Sequence, residues 1–184
     1  MILTSHQDSS FIYQLNEDQQ FIQIAGFPIK AIGQKRRLLG AIDSVYYIGL
    51  ATGAIIRLDA SKTQPELKKI KPPTGRAELK EKIEIFFVDR QGRTWVTFQG
   101  QAGVFNIHPE KNQLQINPRL PGNESFQYVY EDKKGTLIFQ SNISSEKAKT
   151  LVALNNNGQL TDVSHLKGPD EKITYLYADD FNEL

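Results

Sequence analysis

The sequence contains no cysteine. Disulfides, thiolate metal ligands and cysteine nucleophiles are therefore excluded, and cysteine usage leaves the redox compartment open. Histidine is scarce. His6, His108 and His165 lie far apart and form no His-x-x-x-His spacing, so no metal-ligand set can be read from them. No apolar run approaches the roughly 20 residues that cross a bilayer. The start, Met1 to Asp8, lacks the basic and apolar regions of a secretory leader, so an exported form would correspond to a mature or excised piece. Excess charge is also missing: Lys+Arg 22 against Asp+Glu 21 gives a formal charge of +1. Neither nucleic acid nor a membrane surface is expected as a partner. The basic clusters Lys35-Arg36-Arg37 and Lys68-Lys69-Ile70-Lys71 stay short and read as solvated loops or strand edges.

What the sequence does have is internal similarity. Ile85-Phe86-Phe87-Val88-Asp89-Arg90-Gln91-Gly92-Arg93-Thr94-Trp95-Val96 has a near copy in Gln127-Tyr128-Val129-Tyr130-Glu131-Asp132-Lys133-Lys134-Gly135-Thr136-Leu137-Ile138. Asp89 and Asp132 are 43 residues apart, as are Gly92 and Gly135. Ile173 to Asp179 begins a third copy, and Tyr47-Ile48-Gly49-Leu50 parallels Trp95-Val96-Thr97-Phe98. Repeats in the forties fit a four-stranded propeller blade or a helix pair. The residues favour strands. Each unit opens with aromatic and β-branched residues and turns at Asp-x-x-Gly, where Asp caps backbone amides and Gly accepts positive φ. Further turns are expected at Leu154 to Gly158, Ile107 to Asn112 and Leu15 to Gln19. Only residues 77–82 look helix-prone, and they are too few for a stable helix.

The expected fold is all-β, with blades of four antiparallel strands. A lone four-stranded sheet has two faces to cover and is stable only when stacked on its neighbours. Trp95, Phe86, Phe98, Tyr128, Tyr130, Phe139, Tyr175 and Tyr177 are the bulky residues expected between sheets. Trp95 could instead be a stacking platform for a sugar, but its mid-strand position favours the core. The divisions are a partial blade at 1–27, blades at 28–72, 74–118 and 121–167, and a first strand within 172–184. About four blade-equivalents can form a small closed ring or an excerpt of a larger propeller. The excerpt leaves open edges, which invite further blades or a homodimer.

Val88 to Thr97 and Tyr130 to Phe139 resemble the two-component regulator propeller repeat: an acidic turn, a glycine, then a Leu-Trp-like pair. Tyr46 to Leu50 and Gly53 to Asp59 resemble its second half, with an apolar-Gly step and an Arg-x-Asp-like turn. Ile42-Asp43-Ser44 departs from the pattern, and its Trp survives only at Trp95. The resemblance implies a periplasmic sensor region of a bacterial hybrid histidine kinase, recognising glycans or their breakdown products and joined to further blades or kinase domains. The chain has no kinase motif and no DNA-binding segment.

Catalytic patterns are thin. There is no Gly-x-Ser-x-Gly elbow, phosphate loop or calcium loop. Glu131-Asp132 and Asp179-Asp180 read as turn caps rather than acid–base pairs. The sequons Asn123-Glu124-Ser125 and Asn142-Ile143-Ser144 are patterns common by chance. Loops between second and third strands converge at one end of a propeller. Gln99 and Gln101 in one such loop, with Ser141 and Asn142 in the next, are the candidate ligand contacts. The expectation is a non-catalytic binding or sensing module for a carbohydrate or similar polar ligand, with no cofactor. A scaffold for protein–protein contact is the alternative.

Overall fold

In a computed structural model of the chain, residues 2–6, 9–28, 36–76, 81–141 and 151–166 are described. Short runs of β-branched and aromatic residues between Asn, Asp and Gly turns form fifteen strands among them. The first sheet holds β1 (Ile2–His6), β2 (Ser9–Leu15) and β3 (Phe21–Pro28) in that order. The second holds β4 (Arg36–Ile42), β5 (Val45–Leu50), β6 (Ile55–Asp59) and β7 (Glu66–Lys69). The third holds β8 (Ile83–Val88), β9 (Thr94–Phe98), β10 (Phe105–His108) and β11 (Gln113–Ile116). The fourth holds β12 (Phe126–Glu131), β13 (Leu137–Ser141), β14 (Leu151–Leu154) and β15 (Leu160–Asp162). Each is an antiparallel meander, so the all-β, blade-like architecture expected from the repeat is present. Residues 77–80, Asn142 and the strand-like segment at 172–177 lie outside the described residues.

The turns form as their chemistry requires. In Asp89 to Arg93 the Asp carboxylate accepts the Gln91 and Arg93 amides at 3.0 and 2.8 Å, while Gly92 N–H reaches Asp89 C=O at 2.9 Å. Asp132 repeats this with Lys134 and Thr136 at 2.8 and 2.7 Å. Asn155 and Asn16 build the same turn through their side-chain carbonyls. The fourth turn position has φ of 74° at Gly92, 80° at Gly135 and 78° at Gly158, but it is filled by Gln19 at 59° in the first sheet. Gly135 has a second reason to be glycine: a Cβ there would lie 2.8 Å from the Asn156 side chain. Asp43, at φ 50°, turns the departing repeat in two residues instead.

The register also repeats. β8–β9 slips between Ile83↔Phe98 and Ile85↔Thr97, leaving Glu84 as the extra residue. β12–β13 slips at the matching place, between Phe126↔Ser141 and Tyr128↔Gln140, leaving Gln127. Such a bulge reverses the side-chain phase along the strand. That corrects one expectation. Past the bulge Val129 packs on the core, while Tyr128, expected between sheets, is 37% exposed. Likewise Phe87 rather than Phe86 packs against the core beside Ile85.

Contacts divide the chain into two compact units, Met1–Lys82 with His108–Leu114, and Ile83–Ile107 with Gln115–Leu184. In the first, Ile12, Ala25 and Phe27 of one sheet pack on Tyr46, Ile48, Ile56 and Leu58 of the next. In the second, Ile85 and Trp95 pack on Phe126, Leu137, Phe139, Val152 and Leu154. Trp95 is 2% exposed and its ring sits 5.5 Å from Phe139, so it is core and not an open platform. Burying each such aromatic contributes about 1.5–3 kcal/mol. Face-to-face stacking of sheets is thus what sustains each unit.

Candidate functional site

The end of the second unit that carries the β9–β10 turn contains the described candidate residues. Residues 99–101 leave β9 in a tight turn, with Gln101 N–H bonded to Phe98 C=O at 3.1 Å and Gly100 at φ 72°. Gln99 is exposed and Gln101 half-buried. The neighbouring sheet is held alongside by Thr97, whose buried hydroxyl donates to Phe126 C=O at 3.1 Å. The same oxygen accepts the Ile85 amide at 3.2 Å, an N–H displaced from the strand ladder by the bulge at Glu84. Since Phe126 pairs with Ser141, Thr97 sets the exit of β13 at the same end as the Gln99–Gln101 turn. Gly103 N–H reaches Glu124 C=O at 2.7 Å and ties the β9–β10 loop to the connection that precedes β12.

Ser141 differs from its expected placement in a loop. It is the last residue of β13, not a loop residue, and is buried. Asn142 lies outside the described residues. Two carboxylates at this end escaped the sequence reading. Glu84 and Glu124 are half-buried, each with one carboxylate oxygen shielded from solvent and without a hydrogen-bond partner. Burial pushes the Glu84 carboxyl above its ordinary value. Only the bulge could have flagged Glu84, and Glu124 stood out merely as the middle of a sequon. This end therefore brings together two amide side chains and two half-buried carboxylates, groups that hydrogen-bond to donors such as hydroxyls. Among the described residues no group of three or more acidic or histidine side chains could hold a metal ion.

The opposite end of the same unit is closed by mutual contacts between turns. Asp89, 4% exposed, receives Trp95 Nε1–H at 2.9 Å and Arg93 Nε–H at 2.6 Å on Oδ2, besides the two amides on Oδ1. Arg93 also lies 5.4 Å from the Trp95 ring centre. Glu131 does not cap its own turn. Its buried carboxylate accepts the Arg90 amide of the adjacent sheet at 2.9 Å, while Asp132 caps as expected. Arg90 donates onward to Lys133 C=O at 3.0 Å, and Asn156 bridges Gln91 and Lys134 C=O. These groups bond mainly to one another, although one oxygen of the buried Glu131 carboxylate has no hydrogen-bond partner.

Elsewhere the chemistry is structural. His108 Nδ1 accepts the Lys111 amide in a surface turn, and His165 is exposed in the short 3-10 turn Ser164–Leu166. In the first unit the Arg-x-Asp step is an ion pair of 3.2 Å between Arg57 and Asp59. Ser61 hydroxyl and amide donors hold the Asp59 carboxyl below its ordinary value. Burial raises the Tyr47 phenol, opposed by Arg57. A mostly apolar hollow lined by Ala54, Ile55, Ile70 and Leu114 measures about 20 Å³, room for a water molecule but not a ligand.

No family model matches the sequence, and no curated protein matches it. Solved structures do. The chain is similar to the extracellular domain of the hybrid two-component system BT3049 from B. thetaiotaomicron, with TM-score 0.56 and 13% identity over 98% of this chain and 24% of that one. It is also similar to the extracellular domain of the hybrid two-component system BT4673 from the same organism, with TM-score 0.52 and 14% identity over 88% of this chain and 21% of that one. The chain thus spans about a quarter or less of the length of these domains. At such identities the likeness establishes the shared fold.

Proposed function

We propose that this chain is a non-catalytic, blade-built segment of an extracytoplasmic sensor domain, and that it binds a hydroxyl-rich ligand such as a carbohydrate. The observation that carries the reading is the likeness of nearly the whole chain to the extracellular domain of a hybrid two-component system. The sequence resemblance to two-component regulator propeller repeats supports it independently. The ligand end would be formed by Gln99, Gln101, Glu84 and Glu124, with Ser141 at the end of β13 and Asn142, which follows it in the sequence, as the further expected contacts. Carboxylates accept sugar hydroxyls, and the glutamine amides both donate and accept. Further blades and kinase domains would be supplied by a longer polypeptide.

The test is calorimetry of the chain against a panel of oligosaccharides selected on a glycan array. Binding without turnover, weakened at least about tenfold by Gln101→Ala or Glu124→Ala, is the expected result; tenfold corresponds to 1.4 kcal/mol. Absence of glycan binding by the unaltered chain would remove the ligand assignment. Hydrolysis of a bound glycan would remove the non-catalytic one.

A further inference from the structure

Of the asparagines in the sequence, Asn157 alone precedes a glycine. The pair lies in the turn between β14 and β15, where three asparagines follow one another. Two of the three have engaged side chains. Asn155 Oδ1 accepts the Gln159 amide at 2.9 Å, while Asn156 donates to Lys134 C=O at 2.7 Å and accepts Gln91 Nε2–H at 3.3 Å. Asn157 is exposed, and no described residue hydrogen-bonds its side chain. Its carboxamide carbon is open to the nucleophile that follows it in the chain, the backbone nitrogen of Gly158. Glycine has no Cβ to obstruct that approach. Asn155 and Asn156 are each followed by a residue that has one.

A second feature singles out the same peptide. The Arg119 guanidinium lies against Gly158: a Cβ there would lie 2.6 Å from Arg119 Cζ. Attack requires the Gly158 nitrogen to lose its proton, and a positive charge beside it favours the anion that results. Opposing this, Gly158 N–H donates to Asn155 C=O at 2.9 Å, so the nitrogen is released only when the turn opens.

We propose that Asn157 is a deamidation site, and that its conversion to isoaspartate unfastens the turns of the third and fourth sheets from one another. The Gly158 nitrogen bonds to Asn157 Cγ, ammonia leaves with the nitrogen's proton, and a five-membered succinimide remains. Water then opens that ring. Cleavage at Cγ gives aspartate, whereas cleavage at the main-chain carbonyl carbon gives isoaspartate, with the chain now running through the former side chain. The isoaspartyl turn has one more atom in its backbone. Asn156 is thereby displaced from Gln91 in the turn of the third sheet and from Lys134 in that of the fourth.

The test incubates the full chain at mildly alkaline pH beside a synthetic peptide of residues 154–160 that serves as a clock. By the time the peptide has half converted, peptide mapping of the folded chain should find amide-to-acid exchange at Asn157, and isoaspartyl methyltransferase should label it there. Asn157→Gln, which would need a six-membered ring, should lower the conversion at least about tenfold. Arg119→Gln should slow it about fivefold at low salt. The isoaspartyl fraction, separated by ion exchange, should melt below the parent. Asn157→Asp, which adds the charge without the extra atom, should melt with it. A folded chain that stays intact at Asn157 while the peptide reacts overturns the proposal. So does exchange confined to Asn155 or Asn156, or exchange that persists in Asn157→Gln. An isoaspartyl fraction that melts with the parent overturns the unfastening. Glycan binding is read separately and does not depend on these outcomes.

Discussion

Asp89 concentrates more polar contacts than any other side chain described here: two backbone amides, a guanidinium and the indole of the only tryptophan. Asp89→Ala leaves the buried Trp95 Nε1–H and the part-buried Gln91 and Arg93 donors without their acceptor. It should cost about 3 kcal/mol in urea unfolding and alter Trp95 emission in the folded state. Gln19 poses the opposite case. It occupies the turn position that Gly92, Gly135 and Gly158 fill elsewhere, in the left-handed region unfavourable to a side chain. Gln19→Gly should therefore stabilise the chain by about 1 kcal/mol despite the added backbone freedom, as a rise in thermal midpoint. Glu84 yields a pH dependence. Its folded-state pKa is raised by burial, so the ionised form penalises folding above the ordinary carboxylate value of 4.5 and not below it. Glu84→Gln should raise the melting temperature at pH 7, and its advantage should fade as the pH falls through the carboxylate range.

At the scale of elements, legibility followed locality. The Asp-x-x-Gly turns could be read because donor, acceptor and left-handed glycine all fall within five residues. The bulges could not, because an extra residue is defined only against the partner strand. Missing the one at Gln127 put Tyr128 rather than Val129 on the core side. Glu131 looked like a second turn cap for the same reason: its true partner, the Arg90 amide, is 41 residues away. Thr97 gives the bulge in the third sheet its support. Thr97→Val keeps the shape but removes the acceptor for Ile85 N–H and the donor to Phe126 C=O, and should cost about 2 kcal/mol by denaturant titration. Thr97→Ser retains both bonds and should lose under half of that. The candidate ligand end was half legible. Polar loop residues such as Gln99 and Gln101 stand out in a sequence, whereas Ser141 was mistaken for loop because the length of β13 was not visible.

At the scale of the molecule, the cluster around Trp95 and the cluster around Ile48 share no residue among the described residues. Phe139→Ala should cost about 3–5 kcal/mol and shift the native emission of Trp95, whose ring it touches. Ile48→Ala should be destabilising by about 2–5 kcal/mol while leaving that native spectrum in place, because Ile48 belongs to the other cluster. The network of Arg90, Gln91, Glu131, Lys134 and Asn156 has a mechanical meaning. These hairpin tips are cross-braced: displacing Asn156 tugs at once on Lys134 and Gln91, and displacing Arg90 tugs on Glu131 and Lys133. A load applied to any one tip is shared across the rim of both sheets, so that rim shifts as one piece.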